Sequence, residues 1–334
     1  MDRLLVTGGL GFIGSNFIHS RLSNFPDSQV TNLDSISYGA NPQNLAGIER
    51  DPRYQFVKCD VRDNEKLEEL VSRADVIVNF AAETHVDRSI ANPSAFLESN
   101  VIGTHTLLEV SRRKSIRRFV QISTDEVYGS AAKGTSFDED SAMNPSSPYS
   151  ASKAAADMFA LSYHKTYGLP VILLRCTNNF GPRQFPEKFI PKAIIRSTLG
   201  MKVPVYGDGS QIRDWIYVDD FCSAINLAID RGSVGSVYNV SAGNELRNLE
   251  VITRILNLLG KGSDFIHFVE DRPGHDARYS LDSSRIRAQL SWRPQLSYED
   301  ALRATVKWYL ANESWWRPLL NDQILSQAPW KESW

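Results

Sequence analysis

The sequence has few cysteines and no long uninterrupted hydrophobic run. Only Cys59, Cys176 and Cys222 occur among 334 residues. Their odd number and wide separation argue against a disulfide framework and show no metal-ligand spacing. No run approaches the roughly 18 apolar residues that a membrane-spanning helix requires, and no secretory leader opens the chain. We therefore expect reduced thiols, no membrane association and a cytoplasmic location.

An excess of positive charge is also missing. The 37 Lys and Arg residues are offset by 39 Asp and Glu residues, which gives a formal net charge of -2. A nucleic acid or an anionic membrane surface attracts proteins through a basic field, so neither is the expected partner. A small molecule is favoured instead. The content of 42% hydrophobic and 23% charged residues is ordinary for a globular protein, and the length favours two domains.

Short β-rich segments alternate with stretches of helical periodicity through the first half of the chain. The strands are apolar on both faces, which is typical of a parallel sheet covered by helices on each side. This pattern predicts an α/β fold with a Rossmann-type, doubly wound parallel sheet. The predicted strands are Leu4–Thr7, Gln29–Leu33, Tyr54–Lys58, Val76–Ala81, Phe119–Ser123 and Pro170–Arg175.

The segment VTGGLGFIG joins the first predicted strand to the first helix. Its glycines satisfy two spacings at once, because both Gly8 and Gly9 precede Gly11 and Gly14 at suitable distances. Glycine permits a tight turn and a close approach of backbone N–H groups to a pyrophosphate at the positive end of a helix. Asp34 ends the second strand, where a carboxylate accepts hydrogen bonds from a ribose diol. The motif predicts a dinucleotide site, and the acid favours NAD over NADP.

Two further strand ends point to the same cofactor. CDVRD follows the third strand and places Asp60 and Val61 at the adenine end of the site. FAAETHV follows the fourth strand, where Ala81 and Ala82 leave room for the cofactor. Core packing is the alternative explanation for each alanine.

The second half of the chain is richer in Gly- and Pro-containing loops, with helices predicted at 189–199, 219–230, 247–259 and 298–312. This pattern predicts a smaller, interleaved C-terminal substrate-binding domain. We expect the NAD-binding domain to comprise residues 1–175 and about 213–242, and the substrate domain to comprise about 176–212 and 243–312. Residues 313–334 form a Trp-rich tail.

The segment SSPYSASKAAADMFALSYHKTYG carries clear helix signals. Ser147 is a good N-cap and Gly168 a good stop, which predicts a helix over 148–167. Tyr149 and Lys153 then lie four residues apart on one face. A neighbouring ammonium and a nicotinamide cation favour the phenolate form of tyrosine, so the pair is a candidate to remove a hydroxyl proton. A solvated helix face is the alternative.

Several longer motifs occur in a fixed order along the chain. They are TGGLGFIG, NFAAETHVDRSI, ISTDEVYG, SSPYSASKAAAD, NNFGPRQFPEKFIP, PVYGDGSQIRDWIYVDD and DRPGHDARYSLD. Through them the sequence resembles the extended short-chain dehydrogenase/reductases that act on nucleotide sugars, and more narrowly the dTDP-glucose 4,6-dehydratases. The likeness runs from residue 1 to about 312. It implies bound NAD, a dTDP-glucose substrate and loss of water from the sugar.

Two adjacent acids in ISTDEVYG exceed what alcohol oxidation requires. Oxidation needs Tyr149, Lys153, the cofactor and a hydroxyl such as Thr124 to hold the reacting oxygen. Elimination of water also needs a base and an acid. The resemblance assigns to Glu126 the removal of the proton at carbon 5 of the sugar, and to Asp125 the protonation of the hydroxyl that leaves carbon 6. A loop cap for Asp125 and an arginine partner for Glu126 are the structural alternatives.

The resemblance also implies a set of ligand contacts. For NAD these are Gly8, Gly11, Phe12, Ile13, Gly14, Asp34, Asp60, Val61, Ala81, Ala82, Tyr149, Lys153 and Asn179. For the sugar nucleotide they are Thr84, Asn178, Lys188, Phe189, Pro204, Tyr206, Arg213, Asn244, Arg272 and His275. Lys188, Arg213 and Arg272 are the cations expected to hold the diphosphate.

No metal is expected. His85 and Asp87 in ETHVDRS suggest a ligand pair, but no third ligand stands at a supporting spacing. We predict an internal hydrogen-bonding role for both residues.

Other functions are consistent with parts of this pattern. A UDP-glucose 4-epimerase of the same fold also recycles NAD but has no use for the acid pair. A 4,6-dehydratase of a UDP or GDP sugar needs the same residues. A non-catalytic nucleotide-sensing scaffold needs neither the acids nor the Tyr–Lys pair.

The expected partner protein is a second copy of the chain. Helices near 93–113 and 148–167 resemble those through which the superfamily forms dimers, which implies a homodimer. The resemblance does not extend to the tail, which contains Trp315, Trp316, Trp330 and Trp334. Docking on the substrate domain, extension of an interface and loose order all remain open for it.

Overall fold

The computed structural model describes residues 2–332. Its strands are β1 Arg3–Thr7, β2 Gln29–Asp34, β3 Tyr54–Lys58, β4 Val76–Asn79, β5 Arg118–Thr124, β6 Val171–Cys176, β7 Asn178–Phe180, β8 Val203–Tyr206, β9 Ile212–Tyr217, β10 Val237–Val240, β11 Glu245–Arg247 and β12 Ile266–Val269. Its helices are α1 Phe12–Asn24, α2 Asn64–Val71, α3 Val86–Ala91, α4 Pro93–Phe96, α5 Thr104–Arg112, α6 Pro148–Tyr167, α7 Phe189–Thr198, α8 Val218–Arg231, α9 Asn248–Leu258, α10 Ser284–Leu290, α11 Tyr298–Ala311 and α12 Glu313–Trp316.

Seven strands form one parallel sheet in the order β10-β6-β5-β4-β1-β2-β3. The chain moves outward from β1 to β3 and then crosses back to β4, so the strand order reverses between β1 and β4. In doubly wound sheets ligands bind at the carboxyl ends of the strands beside this reversal. The predicted fold class is confirmed, and the six predicted strands all lie in this sheet.

Both faces of the sheet are covered, as its apolar strands require. Alternate residues such as Val6 and Ile122 point to one side, where α1, α8 and α10 pack in one core. Leu5 and Phe119 point to the other side, where α2, α5 and α6 pack in a second core. The sheet is therefore a rigid platform whose strand ends hold the functional residues in place.

Helix α6 begins and ends where the sequence predicts. The Ser147 hydroxyl accepts a hydrogen bond from the Ser150 backbone N–H at 3.1 Å, and Ser150 bonds back to the backbone N–H of Ser147 at 2.9 Å. This reciprocal cap fixes the first turn. Gly168 ends the helix with a φ of 70°, a left-handed conformation that glycine adopts without strain.

A third core lies outside the large sheet. It includes Phe180, Trp215, Tyr309 and Trp316, with α7, α9 and α11 packed around the small sheet β11-β9-β7 and the pair β12-β8. The region from 176 to 217, read from the sequence as loops with a helix at 189–199, contains the three strands β7, β8 and β9 as well as α7. Two of them, β7 and β8, have only three and four residues, too few to show a clear alternation. Within 243–312, residues 284–292 pack on the large sheet through α10, and the two-domain division remains a proposal.

The predicted helix near 93–113 is divided into α4, a π-helical segment at Leu97–Gly103 and α5. A π-helical turn is rare and often marks a functional region. Here it includes Asn100, whose side chain bonds the backbone of Glu83 at 2.8 and 3.0 Å. The π segment thereby fixes the loop that follows β4.

The tail docks on the folded chain. Trp316 is buried in the third core, and Trp330 is also buried, while Trp334 lies outside the described residues. Among residues 2–332, no helix is long and apolar enough to cross a membrane.

Candidate active site

A cleft of about 430 Å³ opens at the carboxyl ends of the large sheet. It brings together all of the residues predicted as catalytic and all of those predicted to contact NAD. The three predicted substrate contacts Thr84, Asn178 and Lys188 also line it. The other seven substrate candidates lie outside its lining: Phe189, Pro204, Tyr206, Arg213, Asn244, Arg272 and His275.

The glycine loop leaves no room for side chains. Gly8 has a φ of +70°, and a Cβ there would lie 2.7 Å from the backbone nitrogen of Ala81. A Cβ on Gly14 would lie 2.5 Å from the carbonyl oxygen of Gly8. No side chain caps α1 at Gly11, so the N–H groups of its first turn face the cleft at the positive end of the helix. This cradle fits a pyrophosphate.

Asp34 closes the adenosine side of the cradle. Its carboxylate accepts hydrogen bonds from the backbone N–H groups of Leu10 at 3.0 Å and Ile36 at 2.8 Å. Burial raises the pKa of Asp34, and these two bonds oppose that shift. Because a carboxylate has about four acceptor positions, Asp34 retains capacity for a ribose diol. Asp60 is nearby and binds Arg62 at 2.8 Å.

The acid pair lies on a 3₁₀ turn, Asp125–Tyr128, directly after β5. Thr124 ends the strand, and its hydroxyl accepts from the Glu126 N–H at 3.3 Å and donates to Oδ1 of Asp125 at 3.1 Å. Oδ2 of Asp125 is buried without a protein partner. The turn therefore presents two neighbouring carboxyl groups to the cleft with different surroundings.

These surroundings affect the pKa values of the two acids differently. Burial and the adjacent Glu126 carboxylate raise the pKa of Asp125 well above its usual range. Burial also raises the pKa of Glu126, but Arg272 and Arg213 oppose that shift. The arrangement favours a protonated Asp125 beside an ionised Glu126, the state that suits one acid and one base.

Tyr149 and Lys153 lie on the first turns of α6 and face the end of β5. The Lys153 ammonium donates to the carbonyl oxygen of Ile122 at 2.7 Å, which fixes its position. Burial and the Glu126 carboxylate raise the pKa of the Tyr149 phenol well above 10, although interaction with the Thr124 hydroxyl opposes the shift. The sequence-based expectation of a phenolate favoured by lysine differs from this, because burial and the nearby acids raise the pKa of the phenol.

Polar atoms without protein partners mark where a ligand fits. Oδ1 of Asn178 and Oδ1 of Asn179 are buried and unpaired in the described structure. Both residues line the cleft next to Cys176 and Thr177. Buried amide oxygens usually bind a donor, so ligand amide or hydroxyl groups suit these positions. The residues present thus fit a dinucleotide with a sugar beside it.

Lys188 stands at the junction of the cleft with the substrate half of the protein. Its ammonium donates to the carbonyl oxygen of Thr84 at 2.8 Å. Burial lowers the pKa of Lys188, and the carboxylates of Glu187 and Glu126 oppose that shift. This lysine links two predicted substrate contacts and supplies positive charge close to the acid pair.

A second group of predicted substrate contacts is organised by Asp87. Its carboxylate binds Arg272 at 2.8 Å and accepts from the Tyr206 hydroxyl at 3.2 Å. We call these three residues the Asp87 cluster. His275 packs against the Tyr206 ring at 6.3 Å, and burial lowers the His275 pKa to about 4. The internal hydrogen-bonding role predicted for Asp87 is confirmed. The same prediction for His85 is wrong at Nδ1, which is buried without a hydrogen-bond partner among the described residues.

Arg213 lies on the other side of Glu126. Its guanidinium donates to the Asp276 carbonyl oxygen at 2.9 Å and lies 4.1 Å from the centre of the Tyr279 ring. The Tyr279 hydroxyl donates to Asp276 at 2.7 Å and is 3.4 Å from Oε2 of Glu126. This chain of contacts connects the acid pair to the substrate half.

The remaining three candidates have mainly packing contacts. Phe189 stacks on Trp215 with 5.7 Å between ring centres. The Asn244 side chain donates to the Trp215 carbonyl oxygen at 3.0 Å. Pro204 is in β8, paired with His267 of β12. These three residues lie within the substrate half, and their contact with a ligand remains a prediction.

Three supporting residues were not identified from the sequence. Tyr279 touches the acid pair, Asn100 holds the loop after β4, and Tyr38 donates to Glu187 at 2.6 Å across the cleft mouth. Each acts through a partner more than 15 positions away, so no local spacing signals its role. In the described part of the chain, no group of three or more His, Cys, Asp or Glu residues is arranged to hold a metal ion.

The sequence is similar to known proteins over most of its length. The profile of the GDP-mannose 4,6 dehydratase family matches residues 5–305. The chain is 51% identical to the low-salt glycan biosynthesis protein Agl12 of Haloferax volcanii over 93% of this chain and 99% of that one. It is 48% identical to a dTDP-glucose 4,6-dehydratase of Actinoplanes sp. over 94% and 99% of the respective chains.

A solved structure agrees closely as well. The dTDP-glucose 4,6-dehydratase DesIV from Streptomyces venezuelae, crystallised with NAD, superposes with a TM-score of 0.94 at 47% identity, covering 95% of this chain and all of that one. Fold, cleft and sequence likeness extend over nearly the whole chain. The chain therefore belongs to the dTDP-glucose 4,6-dehydratase family, in the extended branch of the short-chain dehydrogenase/reductase superfamily.

Proposed function

We propose that this chain is an NAD-dependent hydro-lyase that converts dTDP-glucose to dTDP-4-keto-6-deoxyglucose and water. The main support for this proposal is that the Asp125–Glu126 pair lines one cleft together with Tyr149 and Thr124. Burial raises the pKa of both acids, and Arg272 and Arg213 oppose the rise at Glu126. Relatives named dTDP-glucose 4,6-dehydratase, 43–48% identical, support the same reaction.

The glycine cradle and Asp34 would hold NAD, with Asp60, Val61, Ala81 and Ala82 beside it. When bound, NAD supplies an acceptor for the hydrogen of carbon 4 and later returns that hydrogen to carbon 6. The buried Tyr149 phenol would ionise more readily beside the positive charge of the oxidised ring. In the protein alone, burial and the Glu126 carboxylate raise the pKa of this phenol.

The protein's own residues handle the protons. Tyr149 takes the hydroxyl proton at carbon 4, while Thr124 holds that oxygen, and the new carbonyl acidifies carbon 5. Glu126 takes the proton from carbon 5, and Asp125 gives its proton to the hydroxyl leaving carbon 6 as water. Glu126 then returns its proton to carbon 5. The roles rest on the geometry of the turn at residues 125–128.

Cations of the substrate half suit a diphosphate. Lys188, Arg213 and Arg272 surround Glu126 closely enough to affect its pKa, and guanidinium groups bind phosphate in a bidentate manner. We assign the sugar to Thr84 and Asn178. The nucleotide is assigned to the remaining predicted contacts: Phe189, Pro204, Tyr206, Asn244 and His275.

Incubation of the purified protein with dTDP-glucose, with and without added NAD⁺, tests the proposal by mass spectrometry. We expect a product lighter by one water and no net NADH. An unchanged mass with conversion to a galactose isomer would indicate an epimerase. Turnover of UDP- or GDP-glucose in preference to dTDP-glucose would change the substrate, and binding without turnover of any sugar would indicate a scaffold.

We further propose a homodimer. The π-helical segment and α6, which pack against each other, leave large apolar side chains exposed: Leu97, Ile102, Met158, Phe159 and Tyr167. An exposed apolar patch of this kind is typical of an interface. Light scattering coupled to gel filtration should give twice the chain mass for the wild type, and Met158→Glu with Phe159→Glu should shift it to the monomer. A monomer at all concentrations would refute the dimer.

A cytoplasmic location also remains a proposal. The three cysteines are free thiols buried in the structure, which suits a reducing compartment. Fractionation of cells with an antibody against the chain tests this directly.

A further inference from the structure

The C-terminal segment, defined here as residues 317–332, lies beyond residue 305, the last position that the family profile matches. Two buried cations of α7 nevertheless bind it. Lys192 donates to the Ser326 carbonyl oxygen at 3.3 Å, and Arg196 donates to the carbonyl oxygen of Leu325. Buried cations require partners, so the segment is integrated with the substrate half of the protein.

The segment continues to the edge of the Asp87 cluster. Trp330 is only 8% exposed. Its ring meets the Tyr206 ring almost perpendicularly, at 83°, with 4.9 Å between ring centres. The turn Pro329–Lys331 packs on α3, the helix that carries Asp87. Lys331 also binds Glu270 at 2.5 Å, two residues before Arg272.

Trp330 and its neighbours thus touch the elements that carry each member of the Asp87 cluster. Asp87 is on α3, Tyr206 is at the end of β8 and Arg272 follows β12. The hydrogen bonds within the cluster depend on how these elements are held together.

We propose that Trp330 is a positioning residue for the nucleotide subsite, and that it sets the affinity for the nucleoside diphosphate part of the substrate by holding Tyr206 and Arg272 on Asp87. This inference rests on the proposed function. A tryptophan side chain offers a large rigid surface with few rotamers. Loss of this surface frees the Tyr206 ring and exposes its bond to Asp87 to water, which weakens the cluster before any substrate arrives.

At a pH well above the acid limb of the kcat profile, where Glu126 stays ionised, the effect is confined to binding. Asp125, Glu126 and Tyr149 are held by β5 and α6, and the described contacts of the C-terminal segment do not include them. Trp330→Ala should therefore weaken dTDP binding and raise the KM for dTDP-glucose about tenfold, which corresponds to about 1.4 kcal/mol. We expect kcat to stay within about twofold and NAD affinity to be unchanged.

Calorimetric titration with dTDP and steady-state kinetics test this on the full-length, NAD-loaded protein. Trp330→Phe should restore most of the affinity, because it keeps an aromatic ring against Tyr206. The matched control is Trp315→Ala. The Trp315 indole donates to Asn44 at 2.9 Å and packs on Trp308, rather than on Tyr206. That variant should keep the wild-type dTDP affinity.

The outcomes separate the two proposals. If the wild type neither binds dTDP nor dehydrates dTDP-glucose, the proposed function fails. If the wild type does both and Trp330→Ala has an unchanged Kd and KM, the role of Trp330 is refuted. Should Trp330→Ala fail to fold, hydrogen exchange of the wild type decides the question: dTDP should slow exchange in residues 326–332, and unchanged exchange there would overturn the inference.

Discussion

The Thr124 hydroxyl donates a hydrogen bond to Oδ1 of Asp125 at 3.1 Å and also interacts with the Tyr149 phenol. This position has a consequence for the proton balance of the proposed reaction. Each cycle leaves Tyr149 with one proton more and Asp125 with one proton fewer. A hydroxyl that touches both groups can accept from one and donate to the other, so Thr124 connects the two residues that must be reset.

Replacement of Thr124 by valine should therefore impair turnover. We expect Thr124→Val to lower kcat about 100-fold or more, because the positioned proton transfer and the hold on the reacting oxygen are both lost. Thr124→Ser keeps the hydroxyl and should stay within about tenfold of the wild type. Initial rates of product formation at saturating dTDP-glucose provide the measurement. Equal rates for the valine and serine variants would show that the hydroxyl has no such role.

Asp125→Asn should separate stability from activity. The folded state keeps a proton on Asp125 that the unfolded chain releases above pH about 4, since burial and Glu126 raise the pKa of this acid in the folded protein. Wild-type stability therefore falls as pH rises through the window above the unfolded pKa, by up to about 1.4 kcal/mol per pH unit. The asparagine variant lacks this loss.

We expect Asp125→Asn to lower kcat about 100-fold or more and to raise Tm relative to the wild type at pH 7, with the Tm difference shrinking toward pH 4. Thermal unfolding at a series of pH values measures this. Asp138→Asn, at an exposed position, is the control. A Tm difference that grows as pH falls would contradict the assigned direction of the shift.

Arg272 should influence the pH at which the enzyme loses activity. Burial raises the pKa of Glu126, and Arg272 is the first of the charges that oppose this. Arg272→Ala removes that opposition, so Glu126 should protonate at a higher pH and the acid limb of the kcat profile should move upward. Arg272→Lys retains the charge and should move the limb less. A profile unchanged in Arg272→Ala would exclude this electrostatic link.

The same alanine substitution leaves Asp87 buried without its ion-pair partner, which typically costs about 3–5 kcal/mol. A fall in Tm and a higher KM should accompany the pH effect.

NAD retention should depend on Tyr38. Its hydroxyl donates to Oε2 of Glu187 at 2.6 Å, and the Arg88 guanidinium lies 3.6 Å from its ring. All three residues line the cleft. In the proposed reaction NAD would accept a hydrogen from the sugar and give it back in the same cycle, which requires that the cofactor stay bound throughout.

Tyr38→Phe removes the bond and leaves the Glu187 carboxylate without that donor, a loss of about 1–3 kcal/mol. We expect NAD to dissociate about fivefold faster or more, which stopped-flow displacement measures. Tyr54→Phe is a suitable control. The Tyr54 hydroxyl, on β3, accepts a hydrogen bond from the Asn32 side chain at 3.0 Å, and neither residue lines the cleft. Equal dissociation rates for both variants would show that the Tyr38 contact does not retain the cofactor.

Local signals in the sequence determined the framework. Apolar strands of four to seven residues, the serine cap of α6 and the glycine loop after β1 each act over a few neighbouring positions, so their structure follows from the local chain. The fold class and the bounds of α6 could be predicted for this reason. The three-residue strands β7 and β11 could not, because three residues carry too little pattern.

The candidate site divides in the same way. The acid pair, Tyr149 and Lys153 lie at the ends of strongly marked elements, and one cleft collects them as the sequence suggested. The Asp87 cluster is different, since its members are 119 and 185 positions from Asp87. Their proximity depends on how β8 and the loop after β12 pack against α3.

The protonation split and the docking of the tail were likewise decided by tertiary structure. The sequence places Asp125 next to Glu126, which gives repulsion but not its direction. Burial raises the pKa of both acids, and the approach of Arg272 and Arg213 opposes the rise at Glu126. Burial and the approach of the arginines both depend on distant elements. Sequence order thus specified the chemical groups, whereas packing set their charge states, because desolvation and Coulomb energies depend on distances in space.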